Sequence, residues 1–320
     1  MLRSSALLAA IVLGMLFPAT SSAGTVTVPN GFTESTGEML GVFNARPGEQ
    51  NLLTMRARAG NSMEFTDAGA PIVGQPFGES SGCNPLAGGV SGVLCEPVFH
   101  AEVHLGNKDD RADFLFNSGG VVIWAGPGDD VAVADSFGSP TLLYGEAGDD
   151  ELASGGELVH LVDGGPGDDL LRAGGWAGDS TGLGGPGNDR ITYRIGLAFN
   201  GSGDLQGGPG RDHISMLTEG RAVAHGDAGA DVLDVTPNNP KERWFSDFTL
   251  YGDEGPDQLS GGPDADVLDG GPGADNIDAT GGRGSDTITC GPGNDTVLAD
   301  TADSIADDCE RVTLVPADGS

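Results

Sequence analysis

The sequence predicts an all-β fold: a parallel β-solenoid of short coils with a small β cap at its N-terminal end. Three observations predict it. From Gly252 to Leu298 a nine-residue unit recurs five times, with one two-residue insert (Ala279, Thr280). Upstream, a glycine-turn motif ending in aspartate closes at Asp130, Asp150, Asp169, Asp189, Asp212 and Asp231, in steps of 20, 19, 20, 23 and 19 residues. Glycine contributes 56 of the 320 residues and hydrophobic residues only 38%, a composition for a narrow core rather than a layered globule.

Each nonapeptide opens on a tight glycine turn, carries aspartate at its sixth position and an apolar residue at its eighth. The aspartates are Asp257, Asp266, Asp275, Asp286 and Asp295; the apolar residues are Leu259, Leu268, Ile277, Ile288 and Val297. Glycine reaches positive φ without steric cost, so the chain reverses sharply and turns its carbonyls inward. The three residues after each aspartate alternate about one apolar side chain, which suits a very short half-buried strand. One unit cannot bury its single Leu or Ile, whereas stacked units can. Stacking also sets the carboxylates of successive coils side by side, and a hard divalent cation with all-oxygen coordination relieves their repulsion. The plainer alternative is a glycine-turn solenoid whose aspartates face water.

These units resemble the hemolysin-type (RTX) calcium-binding repeat family, a known nonapeptide pattern. The resemblance covers about 106–298 and implies a right-handed parallel β-roll with calcium held between like-sided turns of adjacent coils. It implies ligands from the sixth-position aspartates named above and from backbone carbonyls of the glycine turns: Gly165, Gly167, Gly185, Gly187, Gly208, Gly210, Gly271, Gly273, Gly282 and Gly284. One family coil uses two nonapeptides, so a motif every 19–20 residues recurs once per coil on the same side. That predicts one well-formed calcium column through 125–234, an irregular opposite side, and motifs on both sides after residue 252. Two departures bear on single sites. Cys290 replaces the first turn glycine of the last unit, and Asp264 replaces a turn glycine before Asp266.

In chain order, residues 1–23 read as a secretory signal peptide. Arg3 precedes the 12-residue apolar run Ala6–Phe17, and Ser21-Ser22-Ala23 offers a small-residue cleavage site. A retained anchor is the alternative. No later apolar run approaches the length of a membrane span. Members of the family often carry a C-terminal export signal, and this chain departs from that. Residues 24–105 hold no nonapeptide and read as a small β cap that shields the first coil. Within it, 99–105 alternates: Phe99, Ala101, Val103 and Leu105 on one face, His100, Glu102 and His104 on the other. Residues 106–113 form a degenerate first repeat with Lys108 where a turn glycine is expected. The roll then runs to 298, interrupted at 236–248 by a Pro-rich loop containing Trp244, read as a connector or a partner-contact loop. Residues 299–320 are the expected C-terminal cap and tail. At about 19 residues and roughly 4.8 Å per coil, the stretch from Ala125 to Leu298 makes about nine coils and about 45 Å of length. Four cysteines in an exported chain suggest two disulfides. Of three connectivities, sequence proximity favours Cys83–Cys95 and Cys290–Cys309.

The net charge of −33 disfavours a nucleic-acid partner, which requires a basic face. Uncompensated, the charge destabilises the compact state, so stability is expected to depend on bound cations. Catalytic signals are weak. The string GESSG at 78–82 lies in a loop beside Cys83, not between a strand and a helix. Gly182, Gly184 and Gly187 match a dinucleotide fingerprint, as chance provides in so glycine-rich a chain. No HExxH zinc pairing or EF-hand loop is present. His100, Glu102 and His104 share a strand face and are either zinc candidates or a solvated face. The expectation is therefore a secreted, non-enzymatic calcium-binding protein with calcium-dependent folding. Its cofactor is Ca2+, and its partner class is a cell-surface or matrix component. The alternatives are an exoenzyme whose catalytic part is 24–105 and a binding module built on the 236–248 loop.

Overall fold

The computed structural model describes residues 24–27, 40–58, 62–74, 76–77, 81–88, 91–96, 98, 100–116, 119–136, 139–156, 160–175, 178–195, 201–217, 221–236, 248–281 and 284–317. The expected signal segment, the string at Ser80, Phe99, Trp244 and Gly282 lie outside them. Among the described residues there are strands and turns and no helix. The strands form two sheets, of 14 and 16 strands. From His100 onward the chain alternates strictly between the sheets, so each coil contributes one strand to each and every neighbour within a sheet is parallel. Nine strands of the larger sheet, from Val131–Ser136 to Thr296–Asp300, account for about nine turns between 125 and 298.

The alternation in sequence sets which side chains meet. In the larger sheet Leu152, Leu171, Ile191, Ile214, Leu233, Leu259, Ile277 and Val297 follow one another in register and are all buried. In the smaller sheet Val103, Ile123, Leu143 and Val162 begin the facing column, which Leu205, Ala224, Leu250, Leu268 and Ile288 continue after Gly182. Full burial of one Leu or Ile contributes about 1.5–3 kcal/mol, too little to fix a coil alone. Each coil is stable because its neighbours cover it on both sides. On the outer face the same register stacks His104 on Trp124 and Trp124 on Tyr144, with ring centroids 4.6 and 5.7 Å apart. His225 stacks on Tyr251 at 4.6 Å. Aromatic stacking of this kind helps hold a parallel ladder in register.

Both ends differ from a bare stack. Strands Ser62–Asp67, Gly92–Glu96, Ser81–Pro85 and Pro76–Phe77 extend the larger sheet by antiparallel pairing and close its N-terminal edge. Cys83 and Cys95 face each other in that pairing and are disulfide-bonded. The parallel coils begin upstream of residue 106. Leu40–Asn44 pairs with His100–His104, and Leu52–Arg58 with Arg111–Phe116. The roll thus starts inside the region expected to be a separate cap, and the hairpins are a 41-residue excursion between its first coil (40–58) and its second, which resumes at His100. At the other end, Ser304–Ile305 and Arg311–Val315 add a final parallel strand to each sheet. The Cys290–Cys309 disulfide ties that last coil to the nonapeptide before it.

Candidate metal centre

All the sixth-position aspartates except Asp266 and Asp286 line up on one side of the roll, at the turns that lead from the smaller sheet into the larger. The backbone N–H of each donates to Oδ1 of the aspartate one coil further on. The chain of bonds runs Asp130 to Asp150 (2.7 Å), Asp150 to Asp169 (2.8 Å), Asp169 to Asp189 (2.8 Å), Asp189 to Asp212 (2.7 Å) and Asp212 to Asp231 (2.7 Å). It continues Asp231 to Asp257, Asp257 to Asp275 and Asp275 to Asp295, each at 2.8 Å. On the opposite side Asp266 donates to Asp286 at 2.9 Å. One oxygen of each carboxylate is therefore committed to the stacking of coils.

The other oxygen is buried and without a hydrogen-bond partner at Asp130, Asp150, Asp169, Asp189, Asp212, Asp231, Asp257, Asp275, Asp286 and Asp295. Buried polar atoms are normally satisfied, so a repeating row of orphans marks a place suited to a cation. The turns supply further oxygens. Gly165 N–H donates to the Gly184 carbonyl and Gly167 N–H to the Pro186 carbonyl, so the first and third carbonyls of a turn serve the coil before it. Among the described residues the carbonyls of Gly165 and Gly167 accept no backbone hydrogen bond. The turn geometry requires glycine here. Gly165 has φ 93°, and a Cβ on it would strike the Glu146 carbonyl. Gly185, Gly187, Gly208, Gly210, Gly271 and Gly273 repeat this close approach to the preceding coil's backbone, and Gly284 makes it to Ala265. A point where a Cβ on Gly207 would lie is 2.5 Å from Asp212 Oδ2 and 2.8 Å from the Gly226 carbonyl oxygen. Both oxygens thus border the Cα of Gly207. An all-oxygen set of carboxylate and carbonyl groups fits calcium, which takes 6–8 oxygens in flexible geometry.

Electrostatics agree with the orphaned oxygens. Burial lifts Asp130, Asp169, Asp189, Asp212, Asp257 and Asp286 to about 7, and Asp110, Asp150, Asp231 and Asp275 to about 6. The N–H bond from the adjacent coil opposes the rise, and neighbouring carboxylates add to it. An adjacent cation removes the cause by replacing the lost hydration.

Asp264 and Cys290 have different consequences. At Asp266 the second oxygen accepts the N–H of Gly262 at 2.6 Å, so the atom left free in the other turns is used within its own turn. Cys290 keeps its backbone role. Its carbonyl oxygen lies 2.8 Å from the space beside Gly270 that Asp275 Oδ2 also borders. Its side chain is in the disulfide, clear of the oxygen array.

Several column members carry a degenerate repeat signature in the sequence, or none. Asp110, in the degenerate turn with Lys108, donates to Asp130 Oδ1 at 2.6 Å and has its own orphaned Oδ2. Asn51 stands one coil earlier, its N–H on Asp110 Oδ1, and its side-chain Nδ2 donates to the Leu105 carbonyl at 2.9 Å. An amide thus supplies a hydrogen where later coils set a carboxylate oxygen against a carbonyl. The signal was Pro47-Gly48 followed by Asn51 and the alternating Leu53 and Met55, hidden because the turn is one residue longer. At the C-terminal end Glu310 accepts from Asp295 N–H and Asp303 from Asp286 N–H, both at 2.9 Å. A second, exposed ladder runs beside the first in the opposite sense. Asp149 N–H donates to Asp129, Asp168 N–H to Asp149, and Asn188 N–H to Asp168, at 2.8–3.0 Å.

The other chemistry-bearing residues do not assemble. His100 Nδ1 accepts the N–H of Gly120, and His104 pairs with Glu102 at 2.9 Å while stacked on Trp124. Among the described residues one trio of metal-ligand atoms gathers, Cys290, Asp308 and Cys309, and both sulfurs are spent in the disulfide. His213, Ser215 and Asp234 do meet, but Ser215 and Asp234 share the same ring nitrogen, Nε2, at 3.1 and 2.6 Å. Nδ1 faces the Arg190 guanidinium at 3.3 Å. A nucleophile–base–orienter relay needs the two partners on different nitrogens. Gly184 and Gly187 belong to a turn between strands, with no helix to receive a phosphate.

Comparison with known families agrees with this geometry. The model described as RTX calcium-binding nonapeptide repeat (4 copies) matches residues 249–277 and again 278–303. No curated protein matches the chain. The matched residues hold Asp257, Asp275 and Asp295 of the long column and Asp266 and Asp286 of the opposite side. Over residues 249–303, the chain is made of RTX calcium-binding nonapeptide repeats.

Proposed function

We propose that this chain is a secreted, non-enzymatic calcium-binding roll whose folding is completed by calcium outside the cell, with a structural or adhesive role toward a cell-surface or matrix component. The observation that carries the calcium part is the row of buried carboxylate oxygens without partners, in turns whose Gly165 and Gly167 carbonyls accept no backbone hydrogen bond. Export is supported by the apolar N-terminal stretch with its small-residue end and by two disulfides. The affinity expected per site is that of extracellular modules, roughly 10⁻⁴–10⁻³ M. The chelated protein, titrated with calcium and followed by far-UV circular dichroism and calorimetry, should gain β signal cooperatively as several ions bind. A chelated protein that is already fully folded and shows no heat of binding would sink the calcium reading.

A further inference from the structure

We propose that the C-terminal cap coil holds a calcium site of its own, formed between Asp286 and Asp300. Asp300 is not a sixth-position residue. It ends the strand Thr296–Asp300, and the turn from it to Ser304 has no glycine at all. It is nevertheless 2% exposed, and its two oxygens differ. Oδ1 accepts the N–H of Ala302 at 2.7 Å, while Oδ2 is buried with no partner. Asp286, fully buried, shows the same division: Oδ1 takes the N–H of Asp266 and Oδ2 has none.

Asp303 brings the two together. Its Oδ1 accepts the N–H of Asp286 at 2.9 Å and its Oδ2 accepts the N–H of Asp300 at 2.7 Å. A single carboxylate thus pins both backbones and spends both its oxygens doing so. Two buried carboxylates are held beside it, each with an unpartnered oxygen and neither with an ion pair among the described residues. Buried charges persist only when paired or bound to metal. In the repeats, glycines at positive φ such as Gly165 and Gly167 leave carbonyls without a backbone hydrogen bond. In this turn the Asp300 side chain supplies the oxygen that no glycine can. A hard cation tolerant of mixed carboxylate and carbonyl coordination matches that donor set. Such a site makes the ordering of the last coil depend on calcium.

This proposal rests on the calcium reading of the repeats, and the test separates the two. Segment-resolved hydrogen exchange on the full chain, titrated with calcium from chelator, is the measurement. In the wild-type chain calcium should slow exchange at Ala302, Asp303 and Ser304 as well as through the turns at Asp169–Asp212. In Asp300→Asn, whose amide oxygen still accepts the Ala302 N–H, the cap should lose that calcium-induced protection while the turns keep theirs. Full cap protection in Asp300→Asn would overturn the site. Should Asp300→Asn lose its calcium response throughout, Asp300→Glu decides. Recovery of cap protection with the carboxylate restored supports a bound ion, and no recovery overturns it. Repeats that respond while the wild-type cap does not would sink the cap site alone. No response anywhere would sink the calcium reading and this site with it.

Discussion

Asp212 shows what one residue does in this protein. Its Oδ1 holds Asp189 N–H at 2.7 Å and its Oδ2 is buried and unpartnered, so without a cation the side chain both builds and strains the stack. Asn51 shows the uncharged solution, donating Nδ2 to the Leu105 carbonyl. Asp212→Asn should therefore stabilise the chelated protein by about 1–3 kcal/mol, the cost of a buried unsatisfied polar group, and weaken calcium binding. Asn51→Asp should do the reverse, lowering chelated stability by a similar amount. Denaturant unfolding in chelator and in calcium reads both, and a pair of variants shifting in the same direction in chelator would refute the comparison. The sixth-position aspartates were legible in the sequence because spacing alone marks them. Asp110 was legible only as part of a degenerate repeat, and Asn51, Asp300, Asp303 and Glu310 were not, because their turns differ in length or lack glycine, and only stacking reveals their register.

A single turn is the next unit. Gly167 sits at φ 150°, and a Cβ there would strike the Gly148 carbonyl one coil back. Gly167→Ala cannot be absorbed by a rotamer change, since the obstacle is backbone. The substitution should cost about 1–3 kcal/mol in calcium, as forced backbone strain does, seen as a lower denaturant midpoint. An unchanged midpoint would mean that the coils are not packed this closely. The last coil makes a second prediction. The Cys290–Cys309 bridge spans 19 residues, a loop worth about 3 kcal/mol in the chain-entropy model. Replacing both cysteines by serine should fray 299–315 first, detectable as faster exchange there with the upstream coils unchanged. Uniform acceleration along the roll would show instead that the bridge stabilises the molecule globally.

Across the whole molecule, the column makes stability depend on pH and calcium together. The column aspartates titrate at about 6–7 in the folded state, above the unfolded value near 4. A raised folded value means that the folded protein holds protons the unfolded chain has released. The contribution is fully present below about 4 and is lost as pH rises through 6–7. The chelated protein should accordingly melt at a lower temperature at pH 8 than at pH 5. Saturating calcium should restore stability at pH 8, and its affinity should fall on acidification as protons compete. Melting curves at the two pH values, with chelator and with calcium, decide this; a chelated protein melting equally at both would show that the carboxylates are not forced to share burial.

By itself the sequence determined the all-β solenoid, the coil length, the inward columns and the sixth-position aspartates. A nine-residue period with one apolar residue per unit leaves stacking as the only way to bury that residue. The tertiary structure decided where the roll begins and ends. The strands at 40–58 look like any short alternating strands until Leu52–Arg58 is seen paired in parallel with Arg111–Phe116. It also decided which oxygens are free, because that depends on which N–H groups the neighbouring coil presents. Asp266 shows this most plainly: it has the right position in its nonapeptide, yet a glycine N–H in its own turn takes the oxygen its counterparts leave open.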